Sequence, residues 1–298
     1  MFSDQSRIKR KYPSPKNSIY SHRFFTDLAS GYSFFLGKKG ENRDFLTFEP
    51  NECKINNLLK EQYHNYSSYD IEQIISRIAY SLMAYGKAYF YIHPEYSVKK
   101  VDDGTKTQIL TSFDIGEIEG FIKKRTKEEI VFCRKGLNTE IKEIHMSKNQ
   151  LVVFDIKELG FSKKFFPSIL KKLSKCDITA KSTDMITNHS DVYDFIYHSE
   201  RKKLAELRAI RKIGWLFGTE KLSDSYILYK KIQEDKLRLR FLEYIVKKIN
   251  DGLHGFLGDD TGELVAHVNR KEYRQLWNDY TEGKITGTEL TNILYKQK

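Results

Sequence analysis

The segment YDIEQIISRIAYSLMAYGKAYFYI, residues 69–92, changes its hydrophobic period part-way along, and that change decides the fold class. Its first part sets Ile71, Ile74, Ile75, Ile78, Ala79, Leu82 and Met83 at the i, i+3, i+4, i+7 rhythm of a helix with one buried face. Ser67 and Ser68 offer hydroxyl acceptors to the orphan N–H groups ahead of it, and Asp70 adds negative charge to the first turn. Gly86 closes the helix, and Lys87-Ala88-Tyr89-Phe90-Tyr91-Ile92 reads as a strand. Helix, glycine turn and aromatic strand are expected in direct succession.

Downstream, strand patterns separated by turn signals cover Ala88–His93, Thr107–Leu110, Glu117–Lys123, Ile130–Cys133 and Gln150–Ile156. Asp103-Gly104 sits between two such runs and predicts a hairpin. After Gly160 the pattern turns helical. Phe165, Phe166, Ile169, Leu170 and Leu173 make one apolar face, with Lys163, Lys164, Lys171, Lys172 and Lys175 around the other side. A second helix is expected from Glu200 to Phe217, with Leu204, Leu207 and Ile210 inward and Arg201, Lys202, Lys203, Arg208, Arg211 and Lys212 outward. A third, from Ser223 to Leu253, carries Leu228, Ile232, Asp235, Leu239, Leu242, Val246, Ile249 and Leu253 in four- and three-residue steps. Phe241 and Ile245 widen that stripe, which makes it a long core helix rather than a coiled-coil seam.

Phe256-Leu257 and Glu263-Leu264-Val265 read as a hairpin around an acidic, glycine-bounded turn, residues 258–262. Asn269 with Glu272, and Thr286 with Glu289, have capping-box spacing ahead of two short helices. The expected fold is α+β: a central, largely antiparallel β region flanked by long amphipathic helices. Four stretches divide it: a flexible basic arm at 1–23, a helix-plus-β core at 24–160, a basic helical region at 161–255, and a C-terminal hairpin with short helices at 256–298.

Composition narrows the partners. The 298 residues are 40% hydrophobic and 13% aromatic, which suits a folded chain. Lys and Arg number 51 against 40 Asp and Glu, a net charge of +11, and such a surplus favours polyanions. Cys53, Cys133 and Cys176 are widely spaced with no CxxC, the usage of a reducing compartment. No apolar run follows the first basic residues, and the longest, such as Ile78 to Tyr85, falls short of a bilayer span, so no membrane partner is expected. A cytoplasmic or virion location is expected. HExxH, GxSxG, Walker and GxGxxG patterns are absent, and the eight His lack metal-ligand spacing, so no cofactor is expected from them.

Two constellations carry chemistry. The strand Leu151-Val152-Val153-Phe154 ends in Asp155-Ile156-Lys157, an acid, a spacer and a lysine, as in the second half of a PD-(D/E)xK nuclease motif. With a first acid from Asp114, Glu117 or Glu119, such a site would hold Mg²⁺ and use the lysine to orient the attacking water. The second is positive charge on the helical faces 163–175, 201–212 and 230–248, set for phosphates rather than base edges. The residues singled out there are Lys230, Lys231, Arg238 and Arg240, with Arg208 and Arg211 behind them. Each face is equally readable as the solvated side of an amphipathic helix.

The order of elements from 69 to 175 resembles the core of tailed-phage portal proteins. Tyr85-Gly86-Lys87-Ala88-Tyr89-Phe90-Tyr91-Ile92 is similar to that family's helix, Gly-Asn-Ala-Tyr-like turn and strand, with Lys87 where Asn is usual. The strand Leu151 to Ile156 and the turn Leu159-Gly160-Phe161-Ser162 are similar to its hydrophobic strand and Gly-Ser turn, leading into the helix at 165–175. The resemblance implies a ring-forming oligomer with a DNA-lined channel and no catalysis. Its implied partners are further copies of itself, DNA and other phage head or tail proteins. The competing expectations are the Mg²⁺-dependent nuclease and a basic module that binds an acidic protein.

Overall fold

A computed structural model describes residues 19–30, 46–50, 68–100, 106–117, 121–125, 129–135, 141–176, 195–216, 224–258, 262–267 and 270–295. The expected helix–glycine–strand unit is present. Helix α1 covers Ile19–Ala29 and strand β1 Leu46–Glu49; helix α2, Ser68–Tyr85, buries Ile75, Ile78, Ala79, Leu82 and Met83 as its period requires. Gly86 adopts φ +78° and donates its N–H to the Leu82 carbonyl at 2.8 Å, a left-handed stop that an L side chain would strain. Strand β2, Lys87–Lys100, follows at once, with Ala88, Phe90 and Ile92 buried alternately.

The fold is α+β. Strands β3 (Lys106–Glu117), β4 (Phe121–Arg125), β5 (Glu129–Lys135), β6 (Ile141–Ser147) and β7 (Leu151–Asp155) complete the central region. They form two three-stranded sheets, ordered β3-β2-β7 and β4-β5-β6, in which every pairing is antiparallel. The expected hairpin is the β2–β3 pair, running from Phe90↔Glu117 to Lys100↔Lys106, while its turn at Asp103-Gly104 lies outside the described residues. The strand expected over Glu117–Lys123 divides between the end of β3 and the start of β4. Strand β6 had no expectation. Its Lys142, Glu143 and His145 interrupt the apolar pattern, and pairing with β5 supplies the order.

Helices α3 (Phe165–Ser174), α4 (Phe195–Ile213) and α5 (Asp224–Leu257) pack on this frame, followed by β8 (Glu263–Ala266), α6 (Arg270–Thr281) and α7 (Gly287–Tyr295). At 34 residues α5 is about 50 Å long. It buries Leu237, Phe241 and Ile245 beside Leu242, Val246, Ile249 and Leu253, the broad face of a core helix. The expected C-terminal hairpin is not formed. Phe256 and Leu257 are the last turn of α5, and β8 pairs instead with β1, Leu46↔Ala266 to Glu49↔Glu263. Asn250 explains the switch: its amide accepts from Leu264 N–H at 2.9 Å and donates to Leu264 C=O at 3.0 Å, tying β8 to α5 rather than to a partner strand at 256–257.

Helix α1 begins at Ile19, inside the stretch expected as an arm, and residues 1–18 lie outside the described residues. One buried cluster runs from Tyr20 through α2, β2, β7, α3, α4 and α5 to Leu264, so the stretches 24–160 and 161–255 share a core. The aromatic order in it is specific: Trp215 meets Phe24 edge-on at 5.0 Å and donates its indole N–H to Asp27 at 3.2 Å. A smaller cluster, Ile232 and Leu290 with Leu276, Trp277, Tyr280 and Ile285, docks α6 and α7 on α5. The Thr286–Glu289 capping box is formed, with Thr286 N–H on the Glu289 carboxylate at 2.7 Å and Glu289 N–H on the Thr286 hydroxyl at 3.2 Å. The Asn269 box lies outside the described residues, as do Asp259 and Asp260 of the acidic turn.

The tightest crossing is α4 on α5. Gly214 has φ +70°, and a Cβ there would collide with Glu234 N and the Lys230 carbonyl. Gly214→Ala should therefore lower stability by about 2 kcal/mol or more, combining strain with a displaced helix. Urea unfolding checks it, and a loss below about 0.5 kcal/mol would contradict the packing described.

Candidate nucleic-acid interface

Asp155 ends β7, where register sets it opposite Lys87. Its carboxylate holds Lys87 Nζ at 3.0 Å and accepts the Lys157 backbone N–H at 3.0 Å. Its main chain is gripped as well: Asp155 N–H donates to the Tyr244 hydroxyl at 2.9 Å, which donates back to the Asp155 carbonyl at 3.2 Å. Partial burial pushes the Asp155 carboxyl up, but the Lys157 N–H, Lys87 and Lys163 outweigh it and leave it below its ordinary value. Burial is also the main reason that the Tyr244 hydroxyl is pushed up to about 12, so it stays a donor.

The remaining nuclease residues do not join Asp155. Glu117 is in register with Phe90 and Asp114 with His93, on the far strand of the β3-β2-β7 sheet. With strands about 4.8 Å apart and a rise of about 3.3 Å per residue, their backbones lie roughly 14 and 22 Å from that of Asp155. Carboxylates sharing one Mg²⁺ need to come far closer than that. Glu119 lies outside the described residues, and among those described no three His, Cys, Asp or Glu gather as a metal site. The Lys157 side chain is exposed. Among the described residues Asp155 serves a structural joint, in which it neutralises Lys87 and anchors β7 to α5.

The basic residues separate into two groups. Lys230 pairs with Glu234 at 3.8 Å and Lys231 with Asp235 at 2.7 Å. Arg238 is buried, bonded to Glu234 at 2.6 Å, near Asp235 at 3.9 Å, and donating to the Asp27 carbonyl at 3.0 Å. Burial of Asp235 raises its carboxyl above the ordinary value despite Lys231 and Arg238, which makes those cations necessary where they are. Three of the residues singled out on α5 therefore face protein carboxylates; Arg238 and Lys231 are withdrawn from the phosphate-contact set, and Lys230 is partly neutralised.

Arg240, Arg208 and Arg211 are exposed, and among the described residues none has a carboxylate partner. Arg240 lies over the Phe161 ring at 4.8 Å, and Lys212 of α4 lies over Phe165 at 5.6 Å. Those two rings are themselves in contact, with centroids 4.9 Å apart. Lys163 and Lys164 are exposed in the turn between the two rings in sequence, with the Lys163 side chain laid over Gly86. Gly160 makes room: at φ +73°, a Cβ would approach the Arg240 guanidinium to 3.1 Å. The structure thus joins Arg240 to Lys212, cations that are 28 positions apart in the chain. Phe161 was read only as part of a turn, and nothing local marks it as the seat of an arginine from α5.

No protein-family model matches the chain, and no curated protein matches it. Among the described residues, no helix is long and apolar enough to cross a membrane.

Two outcomes follow from these pairings. Arg238→Ala should cost about 3 kcal/mol by removing the buried partner of Glu234 and of the Asp27 carbonyl and leaving Lys230 and Lys231 to hold the two carboxylates, whereas exposed Arg208→Ala should stay within about 0.5 kcal/mol, both read from denaturant unfolding. For Asp155, a lowered folded-state pKa means its stabilisation is complete above about pH 4 and is lost as pH falls through the depressed value. Lys87→Met should accordingly be less stable than wild type near neutral pH, with the gap closing in acid. A gap unchanged down to about pH 2.5 would show that the Lys87–Asp155 pair is not its source.

Proposed function

We propose that this chain is a portal-like structural protein that assembles with copies of itself into a ring and contacts DNA through phosphate charge, in a phage or phage-derived setting. One observation carries the reading: the two segments that resemble portal proteins, residues 85–92 and 151–162, fold into one unit. Lys87–Tyr91 of β2 lies antiparallel to Leu151–Asp155 of β7, and Ile156 N–H donates to the Gly86 carbonyl at 3.1 Å. Lys163, just after the second segment, covers Gly86 in the first, where a Cβ would come within 2.8 Å of its side chain. A helix-to-strand turn and a strand-to-helix turn are thereby joined, with α5 laid across them through Tyr244. Local propensity alone does not require segments this far apart to meet.

The charge distribution supports the partner. Exposed cations gather on the turn 160–164, on α3 and on α4, and among the described residues Lys164, Arg208, Arg211 and Lys212 have no carboxylate partner there. Nothing in this reading needs a catalytic group, in keeping with the structural part played by Asp155.

Mass photometry of the purified chain, with and without duplex DNA, tests it. The expected result is a narrow population at a many-fold multiple of the monomer mass. A stable monomer or dimer at every concentration would overturn the ring and leave a basic module for an acidic partner as the successor.

A further inference from the structure

Arg240 and Lys212 come from different helices yet rest on the two rings of one aromatic pair, Phe161 and Phe165. We propose that this platform, with Arg240 and Lys212, is the site that binds the phosphodiester backbone of duplex DNA. The inference rests on the DNA-contact part of the portal-like reading. It moves that contact from residues 230–238 of α5 to the turn before α3 and the neighbouring sides of α4 and α5.

The rings make the site more than a cluster of surface charge. A guanidinium resting over Phe161 at 4.8 Å is already restrained and loses less side-chain freedom when it meets a phosphate. Gly160 leaves the space this pose needs. The nearby carboxylates are already engaged: Asp155 with Lys87 at 3.0 Å and Glu158 with Lys248 at 2.9 Å. No Asn or Gln belongs to the platform, so it offers charge to phosphates and nothing to base edges. Binding at this site is therefore independent of sequence and falls steeply with salt. A lipid surface is the poorer fit, because among the described residues the exposed large apolar ones lie neither in the turn nor on α3, and those on α4, Ile196, Tyr197 and Leu204, come eight or more residues before Lys212.

Fluorescence anisotropy with a labelled mixed-sequence duplex, in salt from about 50 to 200 mM, tests the site on the full chain. Arg240→Gln combined with Lys212→Gln should weaken binding and reduce the slope of log affinity against log salt by about 2, one unit per cation lost. Lys106→Gln with Lys148→Gln removes the same charge from exposed positions at the far end of the β2–β3 pair and ahead of β7, away from the platform, and should leave the slope nearly unchanged. Unfolding curves for both variants confirm that they fold. The proposal is overturned if the two double variants behave alike, if wild type does not bind the duplex, or if an acidic peptide or anionic vesicle competes better than unlabelled duplex. Particle mass separates the two ideas. A ring with an unaltered slope in the first variant removes the platform alone, and a DNA-binding monomer that loses its slope in that variant keeps the platform and removes the ring.

Discussion

Burial of the broad apolar face of α5 against β7 and α2 is the contact on which the other elements depend. The helix comes so close to the sheet that a Cβ at Gly252 would approach Val152 to 2.5 Å, and Phe154 meets Tyr244 edge-on. From this seat α5 organises four neighbours. Its Tyr244 fixes β7, Asn250 fixes β8, and its backbone at Lys230 and Glu234 receives Gly214 at the end of α4. Ile232 then receives the α6–α7 pair. Each attachment uses a different kind of contact: a hydroxyl, an amide, a bare glycine and an aliphatic side chain. Displacing α5 would therefore undo sheet edges and helix crossings together.

The same helix settles which charges remain available. Between residues 230 and 238 its three cations and two carboxylates form a partly buried ionic group that also holds α1 through the Asp27 carbonyl. Removing one member weakens the hold on the rest, so these cations serve the fold. One residue beyond Leu239, Arg240 turns outward onto Phe161. Two arginines two positions apart thus have opposite duties, because the helical period sends one into the core and the other to its rim.

Much of the architecture was legible locally. The 69–92 segment announced helix, stop and strand because one buried face and one left-handed glycine are properties of neighbours in the chain. The Thr286–Glu289 box is local in the same sense, and it formed. The errors lie where partners are remote. Phe256-Leu257 read as a strand because it is short, apolar and followed by glycine, yet α5 continues through it while β1, more than 200 positions away, takes β8. Strand β6, with its polar face, carried no pattern of its own and depends on β5. Asp155-Ile156-Lys157 looked catalytic because acid, spacer and lysine is a local string. What that string does not carry is the cross-strand neighbour, Lys87, that engages the Asp155 carboxylate.

By itself the sequence determined the period of α2, α3 and α5, the Gly86 stop, the strongly basic balance and the absence of common catalytic strings, since all of these are set by residues near one another, whereas α4 turns the expected inward Leu204 to the surface. Tertiary structure alone decided which cations are neutralised, which carboxylates stay apart, and that Arg240 and Lys212 share an aromatic pair. A charge reaches a phosphate only if no carboxylate reaches it first, and that competition takes place between elements brought together by burial.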